Sequence, residues 1–98
     1  MDDKVRACAL YEVYGKMLTE KQQSICELYY FCDLSLGEIA EIKQISRQSV
    51  SDAIKVSRQE LERMEQNLRF LTIKTQLIDI AKDLDENTSK RITEIIEN

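Results

Sequence analysis

The sequence predicts an all-α helical bundle, and three observations carry that expectation. The 98 residues contain two glycines, Gly15 and Gly37, and no proline. A β-rich fold of this size needs many tight turns built on Gly, Pro, Asn or Asp. Apolar residues recur at three- and four-residue spacing along most of the chain. Two capping boxes, Thr19-Glu20-Lys21-Gln22 and Ser35-Leu36-Gly37-Glu38, mark helix starts. With 43% hydrophobic and 33% charged residues, the chain can bury the modest core of one small domain.

The elements follow in order. A first helix is expected over residues 4–18, with Val5, Cys8, Ala9, Val13 and Met17 as its stripe and Leu10, Tyr14 and Leu18 widening it. The Thr19 box opens a second helix, about 20–32, burying Ile25, Leu28, Tyr29 and Cys32. Asp33 and Leu34 link it to a short third helix that starts at the Ser35 box and ends near Ile42. There Leu34 and Ile39 form a hydrophobic staple, and Leu36, Ile39 and Ala40 face inward. Lys43-Gln44-Ile45 is a tight turn. Ser46 caps a fourth helix whose stripe runs through Val50, Ala53, Ile54, Ser57, Leu61, Met64 and Leu68. Phe70, Ile73, Leu77, Ile80, Ala81 and Leu84 give a further amphipathic helix, with or without a break near Leu71-Thr72. Asp85 to Ser89 is expected to be a loop, followed by a last short helix carrying Ile92, Ile95 and Ile96.

Composition excludes much chemistry. Without histidine, Ser-His-Asp and Cys-His catalysis and histidine-containing zinc sites are excluded. Cys8, Cys26 and Cys32 are odd in number and form no Cys-x-x-Cys pair. Reduced thiols packed as small core residues, in a cytoplasmic protein, are expected. No apolar run approaches the roughly 20 residues of a membrane helix, and the first residues form no apolar signal segment. Neither an enzyme, a metal nor a cofactor is expected. Glu38 already has a capping role beside Glu41, and the acids Asp83, Asp85 and Glu86 lack the glycine turn and terminal glutamate of a calcium loop.

The net charge of −4 argues against nucleic acid as a partner, but its distribution does not. Residues 1–34 and 70–98 each carry six acids and four bases. Residues 43–58 instead hold Lys43, Arg47, Lys55 and Arg58 against Asp52 alone. This basic segment coincides with a short capped helix, a tight turn and a longer capped helix over residues 35–58. Ala40 is small enough for the crossing of the two helices, and Ile45 plugs the angle. The pattern is a helix-turn-helix. Its second helix would expose Arg47, Gln48, Ser51, Asp52 and Lys55. Arg, Gln and Ser side chains can read base edges, and Lys serves phosphates. Ser46 at the helix start can hold a phosphate, and Lys43 and Arg58 are assigned to phosphate only. Asp52 is discordant; pairing with Lys55, Arg58 or a cytosine amino group, or orienting Gln48, would account for it.

Leu18-Thr19-Glu20-Lys21-Gln22, Leu28-Tyr29-Tyr30, Ser35-Leu36-Gly37-Glu38-Ile39-Ala40-Glu41 and Ser46-Arg47-Gln48-Ser49-Val50 resemble the YlxM family of small bacterial helix-turn-helix proteins, themselves similar to region 4 of sigma factors. The resemblance covers about residues 10–69. It implies an all-α protein with a long recognition helix, a DNA-binding role, and genes that commonly neighbour those of the signal recognition particle, whence a role in regulating that pathway. Ser51 and Val56 depart from the aromatic and the base often found at those positions in the family.

Residues 1–69 are accordingly expected to form the helix-turn-helix domain, and residues 70–98 a carboxy-terminal helical extension for oligomerisation. The apolar stripe of that extension must be covered, and a homodimer using the first helix and the carboxy-terminal helices would cover it. The aromatic cluster Tyr11, Tyr14, Tyr29, Tyr30 and Phe31 is expected to pack between the first two helices, since surrounding acids disfavour a stacking platform for single-stranded RNA. The rival to a DNA-binding regulator is an accessory factor that binds the protein or RNA of the signal recognition particle, a role the acidic surface would tolerate.

Overall fold

The computed structural model describes residues 3–97. The described residues form α1 (Asp3–Tyr14), a 3-10 turn (Gly15–Met17), α2 (Glu20–Cys26) continued by a π turn (Glu27–Phe31), α3 (Leu36–Lys43), α4 (Arg47–Leu68), α5 (Phe70–Ala81) and α6 (Glu86–Glu97), with no strand. The all-α expectation therefore holds. None of these helices is long and apolar enough to cross a membrane.

The 22 residues of α4 connect two cores. Leu61 and Met64 from its carboxy-terminal half pack with Leu10, Tyr14, Leu18 and Cys26. Val50 from its amino-terminal half packs with Ile25, Ile39 and Ala40. Helix α2 supplies adjacent residues, Ile25 and Cys26, to the two cores and so ties them together. Burial pushes the Cys26 thiol above its ordinary pKa, with Ser57 partly offsetting the effect. That keeps it a packing residue rather than a nucleophile.

Periodicity placed the helices better than it placed their faces. The buried residues of α1 are Ala7, Leu10 and Tyr14, whereas Val5 and Met17 are exposed. Helix α1 is apolar on more than one side, so spacing alone left its phase open. The 3-10 turn then redirects the chain before Met17. Gly15 belongs to that turn for a steric reason: a β-carbon there would lie 2.8 Å from the Tyr11 ring. That ring is held against Phe31, and its hydroxyl donates to Glu27 at 2.6 Å.

The second helix also changes phase. The Cys32 N–H bonds to the Glu27 carbonyl, five residues back, at 3.1 Å. The widened turn rotates the end of the element, so Cys32 is exposed instead of continuing the stripe of Ile25. Asp33 takes a left-handed conformation with φ 57°, and the chain turns into α3.

Arg69 (φ 57°, ψ 23°) breaks α4 from α5, a little before the expected position. The open N–H groups of α5 are met by side chains from outside it. Phe70 N–H donates to the Tyr14 hydroxyl at 3.0 Å. Leu71 and Thr72 N–H donate to the Glu65 carboxylate at 3.0 and 2.9 Å. At the other end, the expected Asp85 to Ser89 loop is instead a helix start. Asp85 accepts from Thr88 N–H at 3.0 Å, and Ser89 N–H bonds to the Asp85 carbonyl. An Asp cap followed by Glu86 favours a helix amino terminus.

Candidate nucleic-acid interface

The geometry of the helix-turn-helix is set by its caps. Ser35 and Glu38 form the reciprocal capping box: the Ser35 hydroxyl accepts from Glu38 N–H at 3.1 Å, and the Glu38 carboxylate accepts from Ser35 N–H at 2.9 Å. These bonds from Ser35, backbone first, hold the Glu38 carboxyl below its ordinary pKa. Helix α3 ends at Gln44 in the left-handed region (φ 56°, ψ 47°). The Ile45 N–H then reaches back to the Ala40 carbonyl at 3.1 Å, the long bond of a Schellman turn. This turn brings Ile45 onto the core formed by Ile39, Ala40 and Val50. Ser46 accepts from Ser49 N–H at 3.0 Å and starts α4. The first i→i−4 bond of α4 runs from Val50 to Ser46, so the N–H groups of Arg47 and Gln48 open the helix toward solvent.

Ser46, Arg47, Gln48 and Lys55 are exposed, and Ser51 is half-buried on the same flank. Among the described residues no carboxylate lies within 4.0 Å of Arg47 or Lys55. Arg47 leans over α3, its Nε 3.7 Å from where a β-carbon on Gly37 would stand. Gln48 donates through Nε2 to Asp52 Oδ1 at 3.0 Å. Of the partners open to Asp52, the structure thus pairs it with Gln48.

The two outlying cations are engaged. The Lys43 ammonium donates to the Ser24 hydroxyl, tying α3 to α2. Arg58 donates to Glu62 at 3.1 Å and to the Asp3 carbonyl at 3.0 Å. Arg6 holds the other Glu62 oxygen at 2.8 Å. The bond from Arg6 keeps the Glu62 carboxyl below its ordinary pKa against the cost of burial, with Arg58 adding to the effect. A phosphate can recruit Lys43 or Arg58 only in competition with these partners.

Two further features border this flank of α4. An open hollow of 980 Å³ lies between α3, the turn after it and the start of α4, with Glu38, Glu41 and Arg47 on its wall. On the other side the fold brings Lys4, Tyr29 and Tyr30 against the Ser51 and Lys55 flank of α4. Sequence reasoning did not join these three residues to α4. They come from α1 and the π turn, and only tertiary packing unites them.

A short capped helix, a Schellman turn and a longer capped helix packed together on Ile39, Ala40 and Val50 have the form of a helix-turn-helix. Over residues 1–98 the chain matches the family described as "Putative helix-turn-helix protein, YlxM / p13 like" (UPF0122). A UPF0122 protein of Acetivibrio thermocellus is 41% identical over 112 aligned residues, covering 99% of this chain and 96% of that protein. One of Clostridium kluyveri is 39% identical over 98, covering all of this chain and 81% of the relative. Another, of Halalkalibacterium halodurans, is 40% identical over 93, covering 95% and 85%. The chain belongs to the UPF0122 family.

Proposed function

We propose that the protein is a non-enzymatic DNA-binding regulator that places the amino-terminal half of α4 in the major groove and acts on genes of the signal recognition particle pathway. The observation that carries this reading is the set of exposed side chains after the Ser46 cap. Arg47 and Lys55 have no carboxylate partner among the described residues, and Gln48 is held in a defined orientation by Asp52. Arg47, Gln48 and Ser51 would meet base edges, Lys55 bases or nearby phosphates, and Ser46 with the helix amino terminus a phosphate. Lys43 and Arg58 would serve phosphates at the margin. Residues 70–98 would pair two copies, giving a homodimer with two reading helices.

Selection of duplexes from a random pool at two salt concentrations tests this. Wild type should enrich a defined site. Arg47→Ala should relax the preference and cost about 1–3 kcal/mol. Arg47→Ala binding the selected site as wild type does would remove α4 from the interface.

The second reading, an accessory factor for the signal recognition particle, is favoured by one observation. Glu38 and Glu41 line the hollow beside Arg47, and acids there suit a basic protein surface better than a phosphate backbone. Capture of the particle's protein or RNA, with no shift of any promoter fragment at physiological salt, would favour this second reading over the first.

A further inference from the structure

Beside the reading face of α4 lies a pocket of 460 Å³ lined by Lys4, Tyr29, Tyr30, Ser51, Lys55 and Arg58. Three separate elements build it: the start of α1, the π turn and the middle of α4. Among the described residues, the hydroxyls of Tyr29 and Ser51 and the ammonium of Lys55 have no hydrogen-bond or ion-pair partner. The Lys4 ammonium sits 5.0 Å above the centre of the Tyr29 ring and pairs with Asp33 at 2.6 Å. The Tyr29 ring meets Tyr30 edge-on, with centroids 5.0 Å apart. Arg58 is fixed in place through Glu62, which it shares with Arg6. That triad keeps one net positive charge. The acid on the rim is Asp3, whose carboxylate stands 3.7 Å from Arg58 on a 96% exposed side chain that is free to swing aside.

Two unpartnered hydroxyls and the unpartnered Lys55 ammonium, converging in one concavity beside the engaged cations Lys4 and Arg58, suit a group that offers only acceptors. A phosphate diester is such a group, whereas a base edge offers donors as well. The position is also apt. Ser51 and Lys55 belong both to this pocket and to the reading face, so a duplex seated on α4 would carry one backbone strand across the pocket mouth. We propose that the pocket between α1, the π turn and α4 clamps a phosphodiester of the DNA strand bordering the groove, with Lys4 and Tyr29 as its previously unassigned donors. The proposal rests on the reading of α4 as a recognition helix.

The test uses the full chain with Tyr29→Phe, which keeps the ring and removes one oxygen, and Lys4→Gln, which removes one half-buried charge that Asp33 pairs with. Tyr29→Phe should weaken binding roughly threefold to tenfold on every duplex alike, leaving base preference unmoved. Lys4→Gln should lower the slope of log affinity against log salt by about one. Titration with inorganic phosphate, followed by NMR, should shift the Tyr29 ring signals and leave those of Phe31 in place. Both variants matching wild type in affinity and salt slope would overturn the clamp. Should wild type bind no duplex at all, the reading of α4 fails separately, and the phosphate titration decides the pocket. Shifted Tyr29 signals then uphold its phosphate chemistry, and unmoved signals overturn it.

Discussion

At the residue scale, Glu65 is the side chain whose role spacing could not reveal. It is 5% exposed, on a helix face otherwise filled by Leu61 and Met64. Burial alone would raise its pKa. Hydrogen bonds from Thr72, Tyr14 and the Leu71 and Thr72 N–H groups outweigh that and bring it down to about 2. The Tyr14 hydroxyl donates to it at 2.6 Å and in turn accepts from Phe70 N–H. One carboxylate thereby joins α1, the end of α4 and the start of α5. Its partners Tyr14 and Thr72 are 51 and 7 residues away, so the sequence shows only a glutamate within an alternating charge run. The sign of the pH dependence follows from the depressed pKa. Above the ordinary value of 4.5 the carboxylate is ionised whether the chain is folded or not, and its stabilisation is complete. As pH falls from there toward about 2, the unfolded chain takes up the proton first and the stabilisation is lost. Asp33, Glu38, Glu60, Glu62 and Asp85 are shifted in the same direction, so wild type should lose stability steadily over that acid range. Glu65→Gln puts an amide donor against N–H donors. It should cost on the order of 2 kcal/mol or more at neutral pH and flatten part of the acid dependence, as urea melts at stepped pH would show. An unchanged acid profile would mean that Glu65 carries no such linkage.

At the element scale, caps proved more legible than faces, for a physical reason. A cap is a local contract between a side chain and a backbone group three residues away, so Thr19, Ser35 and Ser46 declare helix starts by themselves. A buried face depends on what arrives from elsewhere. Turns of unequal width, such as the 3-10 turn at Gly15 and the π turn at Glu27, rotate everything that follows. Hence Met17 and Cys32 left stripes in which their spacing placed them. The Ser46 cap also offers a way to separate folding from binding. Ser46→Ala should destabilise the domain by about 1 kcal/mol. Ser46→Asp should fold as well as wild type, because aspartate caps equally and suits the helix dipole. Yet it puts a negative charge where a DNA phosphate would rest. Thermal melts should therefore rank alanine lowest, while duplex binding should rank aspartate lowest. Equal DNA affinity of Ser46→Asp and wild type would turn the α4 amino terminus away from DNA.

At the scale of the whole molecule, the shape and the exposed apolar surface point the same way. The described chain has a radius of gyration of 16.2 Å, against about 13 Å for a compact domain of this length. Its extents of 52 × 26 × 25 Å make it a rod rather than a ball. Of α5, only Ala81 is buried, and α6 buries no residue. Phe70, Ile73, Leu77 and Ile80 continue an exposed stripe along α5, with Leu84 beyond it and Ile95 on α6 exposed by 78%. Periodicity announced correctly that this stripe is apolar, but it cannot say whether the covering surface belongs to the same chain. Six large apolar residues left partly in water by one copy are what a second copy would cover, since covering the rest of each recovers a part of the roughly 1.5–3 kcal/mol that full burial of such a side chain is worth. A two-fold interface of the usual size needs about 1,200–2,000 Å² in total, and helices stacked through α5 and α6 offer a continuous face for it. We therefore expect wild type to sediment as a dimer at micromolar concentration, with a melting temperature that rises with protein concentration. Leu77→Glu, at the centre of the stripe and outside both cores, should give a monomer of unchanged helicity. Because a dimer carries two copies of α4, the same substitution should also weaken binding to a two-fold symmetric duplex far more than to a single half-site. A wild type that stays monomeric at micromolar concentration would leave the stripe without this role and confine any DNA contact to one helix-turn-helix at a time.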